Sequence, residues 1–174
     1  MPAILRSDAD LAADIKCVLS DVDGVMTDGR IVYDNAGVET KHFHVRDGLG
    51  IKLWMQSGFT FGIITARSSH IVSRRAEELG IQYVYQSAKN KLDTASEICE
   101  QAGCQMKQVC YIGDDLPDIP LMKAAGLSAA PADASADARA AANWVLHHRG
   151  GDGALRELIE RLLRAKHRWE EHLR

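Results

Sequence analysis

The stretch KCVLSDVDGVMTDG, residues 16–29, decides the fold prediction. Its first five residues form a short, mainly apolar run, and such runs bounded by turn signals predict a buried β-strand. Asp21, Asp23 and Gly24 follow directly, so the strand delivers two carboxylates at its carboxyl end. In open α/β sheets, ligands bind beyond the carboxyl ends of the strands. The stretch therefore predicts a core strand and a polar site at its end.

The rest of the chain alternates predicted strands with predicted helices. Further strands are expected at residues 59–65, 82–86, 108–112, 127–130 and 144–146. Helices are expected at residues 47–58, 68–80, 90–102, 119–125 and 135–142, and from about Gly153 onward. Such alternation is typical of βαβ units, in which a parallel sheet is covered by helices on both faces. The sequence therefore predicts an α/β fold.

Three details of the helices are also predicted. In the helix predicted at residues 47–58, the spacing of Leu49, Leu53 and Trp54 places them on one inward face. Ser68 is the expected N-cap of the second, which ends at Gly80. The last helix carries an apolar stripe that is expected to bury Leu155, Leu158, Ile159, Leu162, Leu163 and Trp169.

A hairpin interrupts this pattern near the amino terminus. Residues 30–34 and 38–45 are two β-prone runs around Asn35-Ala36-Gly37, which is a turn signal. The second run has apolar and polar residues on both of its faces, so neither face is wholly suited to solvent. An extra strand pair of this kind is expected to pack against another partner, and a second subunit is one candidate.

Composition limits the class of protein. The chain has 174 residues, 46% of them hydrophobic and 26% charged, and a formal net charge of −3. These values predict one globular domain and argue against disorder, a coiled coil or a general nucleic-acid binder. No apolar run is long enough for a membrane span, and residues 1–16 show no signal peptide. The four cysteines lack disulfide or zinc spacing, so a cytoplasmic location is expected.

Four successive strand ends carry polar groups of complementary chemistry. They supply Asp21 and Asp23, then Thr65 and Arg67, then Lys91, and finally Asp114 with Asp115 and Asp118 close behind. Several carboxylates at one sheet edge repel one another unless a cation lies among them, and oxygen ligands of this kind suit Mg²⁺. Hydroxyl and ammonium groups suit phosphate oxygens. The pattern therefore predicts a phosphoryl-transfer site with a carboxylate nucleophile.

These strand ends resemble a known family. The motifs DVDGVMTDG (21–29), IITAR (63–67), NK (90–91) and YIGDDLPD (111–118) are similar to those of haloacid dehalogenase superfamily phosphatases. The stretches FHVRDGLGIK (43–52) and HRGGDGALRELIERLLRA (148–165) look, more narrowly, like the 3-deoxy-D-manno-octulosonate 8-phosphate phosphatases within it. The resemblance covers nearly the whole chain, from about Ile15.

The resemblance implies an architecture and an assembly. The expected fold is a haloacid dehalogenase-like, Rossmannoid three-layer α/β/α sandwich with a parallel central sheet and no cap domain. Residues 1–174 would form one domain, with a β-hairpin flap at about 30–45 and a carboxyl-terminal helix and tail at about 150–174. The family further implies a homotetramer with active sites near the subunit interfaces, and no nucleic-acid or membrane partner is expected.

The resemblance also assigns roles to matching residues. Asp21 would be the nucleophile, and Asp23 the general acid and then the general base. Thr65 and Lys91 would act on the phosphoryl group. Mg²⁺ would be held by Asp21, the Asp23 backbone carbonyl and Asp114, and Asp115 and Asp118 would support that loop. The acidic sugar-phosphate substrate would be bound by His44, Val45, Arg46, Asp47, Gly48, Lys52, Arg67, Arg75 and Lys91.

The implied activity is Mg²⁺-dependent hydrolysis of 3-deoxy-D-manno-octulosonate 8-phosphate through an aspartyl-phosphate, in lipopolysaccharide biosynthesis. A phosphatase for a sialic acid 9-phosphate, N-acylneuraminate or its deaminated analogue, shares the motifs and stays open. So do two interpretations of another class, a phospho-acceptor module and a non-catalytic scaffold. The chain departs from the family pattern at Ala66 and Ser87, where glycine is usual.

Overall fold

The computed structural model describes residues 7–174 and has a six-stranded parallel sheet at its centre. The strands are β1 Cys17–Ser20, β4 Thr60–Ile64, β5 Tyr83–Tyr85, β6 Val109–Ile112, β7 Leu127–Ala130 and β8 Trp144–Val145. Their order across the sheet is β5-β4-β1-β6-β7-β8, and every neighbouring pair is parallel. After β1, the chain adds β4 and β5 on one side of it. It then crosses back and adds β6, β7 and β8 on the other side. The predicted α/β class and parallel sheet are confirmed.

Helices cover both faces of this sheet. They are α1 Asp8–Ala12, α2 Val45–Gln56, α3 His70–Leu79, α4 Lys91–Ala102, α5 Ile119–Ala124, α6 Ala136–Ala141 and α7 Ala154–Ala165. Three 3₁₀ turns, Met106–Gln108, Leu116–Asp118 and Trp169–His172, complete the elements. The buried residues of α2, α3 and α7 form one core cluster, and those of α4, α5 and α6 form a second on the other face.

Alternating side chains of the central strands supply both cores. Val18 and Cys110 face the cluster of α2, α3 and α7, whereas Leu19 and Tyr111 face the cluster of α4 to α6. Because successive side chains of a strand point to opposite faces, a strand buried on both sides must be apolar throughout. This is why the central strands are continuous apolar runs.

The helix boundaries follow the predictions except at a few residues. Gly80 and Gly103 end α3 and α4 in the left-handed conformation, which a residue without Cβ adopts at little cost. The N-cap of α3 is Ser69, not Ser68, since the Ser69 hydroxyl accepts from the Ile71 amide. Trp169 is buried as predicted but lies in the 3₁₀ turn after α7 rather than in the helix.

The predicted inward face of α2 was partly wrong. Leu49 is 49% exposed, while Ile51 and Trp54 are fully buried. The helix begins at Val45 rather than Asp47, and its buried side includes two glycines and Asp47. One of them, Gly50, lies so close to α7 that an added Cβ would be 3.3 Å from the Arg156 Cα. Close contact with a neighbouring helix, not apolar spacing alone, thus sets the face.

The predicted hairpin is present but its strands are short. β2 Val32–Tyr33 and β3 Glu39–Thr40 form a separate two-stranded antiparallel sheet. Asp34 closes the turn, because its carboxylate accepts from the amides of Ala36 and Val38. We call residues 30–45 the flap, and its large apolar side chains are mostly exposed.

No helix among residues 7–174 is both long and apolar enough to cross a membrane. The prediction for the first 16 residues falls partly on residues 1–6, which lie outside the described part of the chain.

Candidate active site

The sheet places the first and fourth strand-end motifs side by side. Ser20, at the end of β1, is paired with Ile63 of β4 on one side and with Ile112 of β6 on the other. Asp21 therefore emerges between the residues that follow β4 and β6. Thr65 is buried on the β4 side, and its hydroxyl accepts from the Arg67 amide at 3.3 Å. This is the switch point of the sheet, where α/β proteins bind their ligands.

Asp21 is held from two sides. One carboxylate oxygen accepts from the Val22 amide at 2.7 Å, and the other lies 2.9 Å from the Lys91 ammonium. Lys91 is the first residue of α4, whose N-cap is Asn90, so the start of that helix brings the lysine to the site. Both Asp21 and Lys91 are buried.

Asp118 is the second partner of Lys91. One of its oxygens accepts from the Lys91 ammonium and from the Tyr111 hydroxyl, each at 2.6 Å. The other accepts from the amides of Asp114 and Asp115, at 2.9 and 3.1 Å. Asp118 thus orders the loop after β6, whereas Asp115 is exposed at the start of the Leu116–Asp118 turn. Tyr111 was not predicted as a site residue, because its position in an apolar run is typical of an ordinary core residue of β6.

The three carboxylates of this cluster carry more charge than Lys91 balances. Asp21, Asp114 and Asp118 each offer an oxygen within 4.8 Å of the others. Burial raises the pKa of Asp21 to about 6, with repulsion from Asp118 adding to the effect. Burial, together with repulsion from Asp21 and Asp118, raises the pKa of Asp114 to about 7. Three acids against one lysine leave a deficit of two positive charges, and the oxygen donors match those that Mg²⁺ takes.

The backbone approaches the cluster too closely for most side chains. Gly24 has φ +89°, and a Cβ there would stand 2.0 Å from Oδ2 of Asp114. A Cβ on Gly150 would stand 1.9 Å from the Gly24 carbonyl oxygen, and the Gly151 amide donates to Val25. The Gly150-Gly151 segment therefore supports this chain's own first motif loop from outside.

Asp23 lies beside the flap rather than in the carboxylate cluster. Its Oδ1 accepts from the Lys41 ammonium, and its Oδ2 is 3.7 Å from Nε of Arg67. Arg67 also donates to Glu39 at 3.2 Å. Neither Glu39 nor Lys41 was predicted from the sequence to be a site residue. Their alternation in the second run of the hairpin, which places both on one face, was the available signal.

The other predicted substrate residues form a separate group around α2. His44 is the N-cap of that helix, and Gly48 is so close to Arg75 that an added Cβ would meet its Nη2 at 2.3 Å. Asp47 is buried and accepts from the amides of Gly153 and Arg156, so within the subunit it holds the start of α7.

The remaining members of that group face outward. Val45, Arg46 and Lys52 are exposed. A groove of about 1080 Å³ between α2 and α7 has His44 and Arg46 on its wall. Within one subunit, no contact of the described residues joins these side chains to the carboxylate cluster.

The two departures from the family pattern differ in their backbone. Ser87 has φ +58°, a left-handed conformation that suits glycine better than serine. Ala66 is not among the residues of 7–174 that have a positive φ, so its methyl group causes no such strain.

Comparison with known proteins accounts for this arrangement. A family model described as haloacid dehalogenase-like hydrolase matches residues 82–158. The 3-deoxy-D-manno-octulosonate 8-phosphate phosphatase of Yersinia pestis is 43% identical over 159 residues, which cover 91% of this chain and 85% of that protein. The chain belongs to this phosphatase family.

Solved structures of family members agree in fold and in metal chemistry. One is the enzyme from Moraxella catarrhalis in complex with magnesium, phosphate and 3-deoxy-D-manno-octulosonate (KDO). It superposes with a TM-score of 0.94 at 37% identity, and the match covers 98% of both chains. The cobalt-bound enzyme from Haemophilus influenzae gives 0.90 at 40% identity, covering 93% of this chain and 95% of that one. As a family member with a fitting carboxylate cluster, the chain is a phosphatase that uses Mg²⁺.

The close approach of Gly24 to Asp114 leads to a first prediction. Gly24→Ala should lower Mg²⁺ affinity and phosphatase activity at least about tenfold, because the methyl group displaces Asp114 from the cluster. Gly58→Ala is the matched control: its φ is +85° but its Cβ would have no neighbour within 4 Å. The control should lose only the strain energy of a left-handed alanine, about 1–2 kcal/mol of stability, and keep its activity. Equal activity losses in the two variants would show that strain, not displacement of Asp114, is responsible.

The unbalanced charge makes a second prediction. A carboxyl group whose pKa rises from 3.8 to about 7 on folding destabilises the metal-free protein increasingly between those pH values, and fully above them. At pH 8 without metal, Asp114→Asn should therefore unfold at a higher temperature than the wild type.

Saturating Mg²⁺ should make this difference smaller. At 100 times the Kd it stabilises the wild type by about 2.7 kcal/mol, and the variant much less. Thermal unfolding with and without MgCl₂ checks both parts, with the exposed Asp137→Asn as control. A metal-induced shift as large in Asp114→Asn as in the wild type would exclude Asp114 as a ligand.

Proposed function

We propose that this protein hydrolyses 3-deoxy-D-manno-octulosonate 8-phosphate to the free sugar acid and inorganic phosphate, as a step of lipopolysaccharide biosynthesis. The observation that carries the proposal is the pair of neighbouring acids with different surroundings. Asp21 is buried against Lys91, and Asp23 lies between Lys41 and Arg67 at the flap. The relatives named above act on this substrate by name, and the first of them is 43% identical.

The first chemical step is assigned to Asp21 and Asp23. A carboxylate oxygen of Asp21 attacks phosphorus, the bond from phosphorus to the sugar oxygen breaks, and Asp23 gives its proton to that oxygen. The Val22 amide and Lys91 hold Asp21 so that it needs no reorientation. The buried Lys91 ammonium would also stabilise the charge that develops on the phosphoryl oxygens, and the Thr65 hydroxyl would donate to them.

The second step returns the enzyme to its starting state. Asp23, now ionised, takes a proton from a water molecule, whose oxygen attacks phosphorus and releases Asp21. Asp21 and Asp114 would hold Mg²⁺ together with the Asp23 carbonyl, while Asp118 keeps the Asp114 loop in place. When bound, the metal stabilises negative charge on the phosphoryl group.

Recognition of the sugar acid is proposed to involve two cationic regions. Arg67 lies next to Asp23, and its guanidinium can bind a carboxylate through two parallel hydrogen bonds. We propose that a second group of residues, on α2 or beside it, also contacts the substrate: His44, Val45, Arg46, Asp47, Gly48, Lys52 and Arg75. We also propose that the chain is one domain, which includes the flap at about 30–45 and the carboxyl-terminal helix and tail at about 150–174.

A substrate panel tests the proposed function. With Mg²⁺, phosphate release from 3-deoxy-D-manno-octulosonate 8-phosphate should exceed release from N-acetylneuraminate 9-phosphate and from a hexose phosphate by at least about tenfold in kcat/KM. Asp21→Asn should release none, because the amide cannot act as the nucleophile. Better use of the nine-carbon acid would assign the protein to sialic acid metabolism, and failure on every ester would favour a binding module.

We further propose a homotetramer in the cytoplasm. Ile31, Val32, Tyr33 and Val38 of the flap are each 43% exposed or more. A two-stranded sheet by itself is marginally stable in water, and both its edges and its apolar side chains need covering. Flaps of several subunits can cover one another. Buried free thiols such as Cys17 and Cys110 stay reduced in the cytoplasm.

Sedimentation velocity tests the assembly. The wild type should sediment as a tetramer, and Val38→Asp should shift the population to smaller species, because a charge would be buried between flaps. Val145→Asp, a matched substitution at an exposed site on the edge strand β8, should leave the tetramer intact. A monomeric wild type, or an unchanged tetramer in Val38→Asp, would contradict the flap interface.

A further inference from the structure

The flap carries a buried lysine that the proposed chemistry does not yet use. Lys41 follows β3 in a segment of mostly exposed residues, yet its side chain is only 1% exposed. The ammonium donates to Oδ1 of Asp23 and lies 3.4 Å from Oε1 of Glu39. Ordering a long, flexible lysine side chain costs conformational entropy, and burying its charge is tolerated only when it is paired. Here both partners are acids, and one of them is Asp23.

Glu39 connects this lysine to the body of the protein. One of its oxygens accepts from Arg67 at 3.2 Å, and the other accepts from the Ser69 hydroxyl at 2.7 Å. Ser69 is the N-cap of α3, so its position is set by the helix. The hydrogen bond from Ser69, with Lys41 and Arg67 nearby, lowers the pKa of Glu39. Glu39 therefore attaches the flap to the start of α3.

Asp23 is enclosed by two cations that Glu39 ties together. Lys41 contacts Oδ1, and Arg67 approaches Oδ2 at 3.7 Å. When Asp23 is ionised, the two acids and the two cations make a cluster without net charge, unlike the cluster around Asp21. Asp23 is only partly buried, and Lys41 and Arg67 are its ion-pair partners among the described residues. Without Lys41 and Arg67, the Asp23 side chain would be free to change rotamer.

We propose that Lys41 is a positioning residue that holds the Asp23 carboxylate in line for proton transfer, and that Glu39 anchors Lys41. This inference rests on the proposed function of Asp23 as acid and base. As the bond from phosphorus to the leaving oxygen breaks, the protonated form of Asp23 gives its proton to that oxygen, and the carboxylate that results pairs with Lys41 as in the structure. The flap thereby contributes to the chemical step as well as to assembly.

The test compares two esters of similar size, p-nitrophenyl phosphate and phenyl phosphate, with Mg²⁺ present. Phenolate is the poorer leaving group, so its departure depends more on a proton from Asp23. Lys41→Met should reduce kcat/KM for phenyl phosphate at least about tenfold more than for p-nitrophenyl phosphate, within the range of general acid catalysis. Lys41→Arg should recover part of the loss. Glu39→Gln should show the same selective loss to a smaller degree.

Two further variants make the outcome decisive. Lys107→Met, at the opposite end of the sheet from the site, should leave both esters unaffected. Asp23→Asn should lose activity on phenyl phosphate. Asp23→Asn is then expected to be impaired. If Lys41→Met nevertheless loses activity equally on both esters, or on neither, the positioning role is refuted and the proposed function stands.

A different result would implicate the proposed function instead. If Asp23→Asn keeps wild-type activity on phenyl phosphate, the assignment of Asp23 itself fails. Should Lys41→Met not fold, as judged by its thermal transition, Glu39→Gln provides the same comparison, and equal losses on the two esters would overturn the inference.

Discussion

The structure depends on one buried ionic contact, between Lys91 and the carboxylates of Asp21 and Asp118. A charged group inside a protein is tolerated only when it is paired, and removing one partner leaves the others uncompensated. Lys91 joins the start of α4 to the ends of β1 and β6, so the contact ties together elements that are distant in sequence. The same contact leaves two negative charges unbalanced, and this excess makes the site suitable for a divalent cation.

Close backbone packing holds the carboxylates around this contact. Gly24 leaves room for Asp114, and Gly113 leaves room for Asp118, whose Cβ would be 2.4 Å from an added methyl group. Four donors satisfy Asp118, which therefore fixes the loop without needing to contact substrate. The rigidity of this half of the site comes from strand ends and glycines, which is how a site keeps its geometry during turnover.

The other half of the site lies on the flap. Asp23 follows β1 by three residues, but its ion-pair partners are Lys41 and Arg67, and Glu39 links both to α3. The proposed nucleophile is thus positioned by the sheet, and the proposed acid–base carboxylate is positioned by a hairpin with an exposed apolar surface. This division connects the proposed assembly of subunits to the proposed chemistry, because whatever orders the flap also orders Asp23.

The sequence by itself determined the parallel sheet, the succession of strands and helices along the chain, and the four strand ends that carry Asp21, Thr65, Lys91 and Asp114. These features are local, since apolar runs, capping residues and the alternation of strands and helices are read within short windows. Only the tertiary structure decided the exposure of Leu49, the partners of Asp118 and the contacts of the flap. The spacing of α2 could not show that glycines would pack against α7.

The same limit explains why Glu39 and Lys41 were missed. Their pattern in the hairpin fits an ordinary strand face, and only folding brings that face onto Asp23 and Arg67. Long-range contacts depend on how separate elements pack together, and a local pattern does not encode that packing. Charged residues are the hardest case, because the same lysine is either solvated or buried according to whether tertiary structure supplies it with an acid.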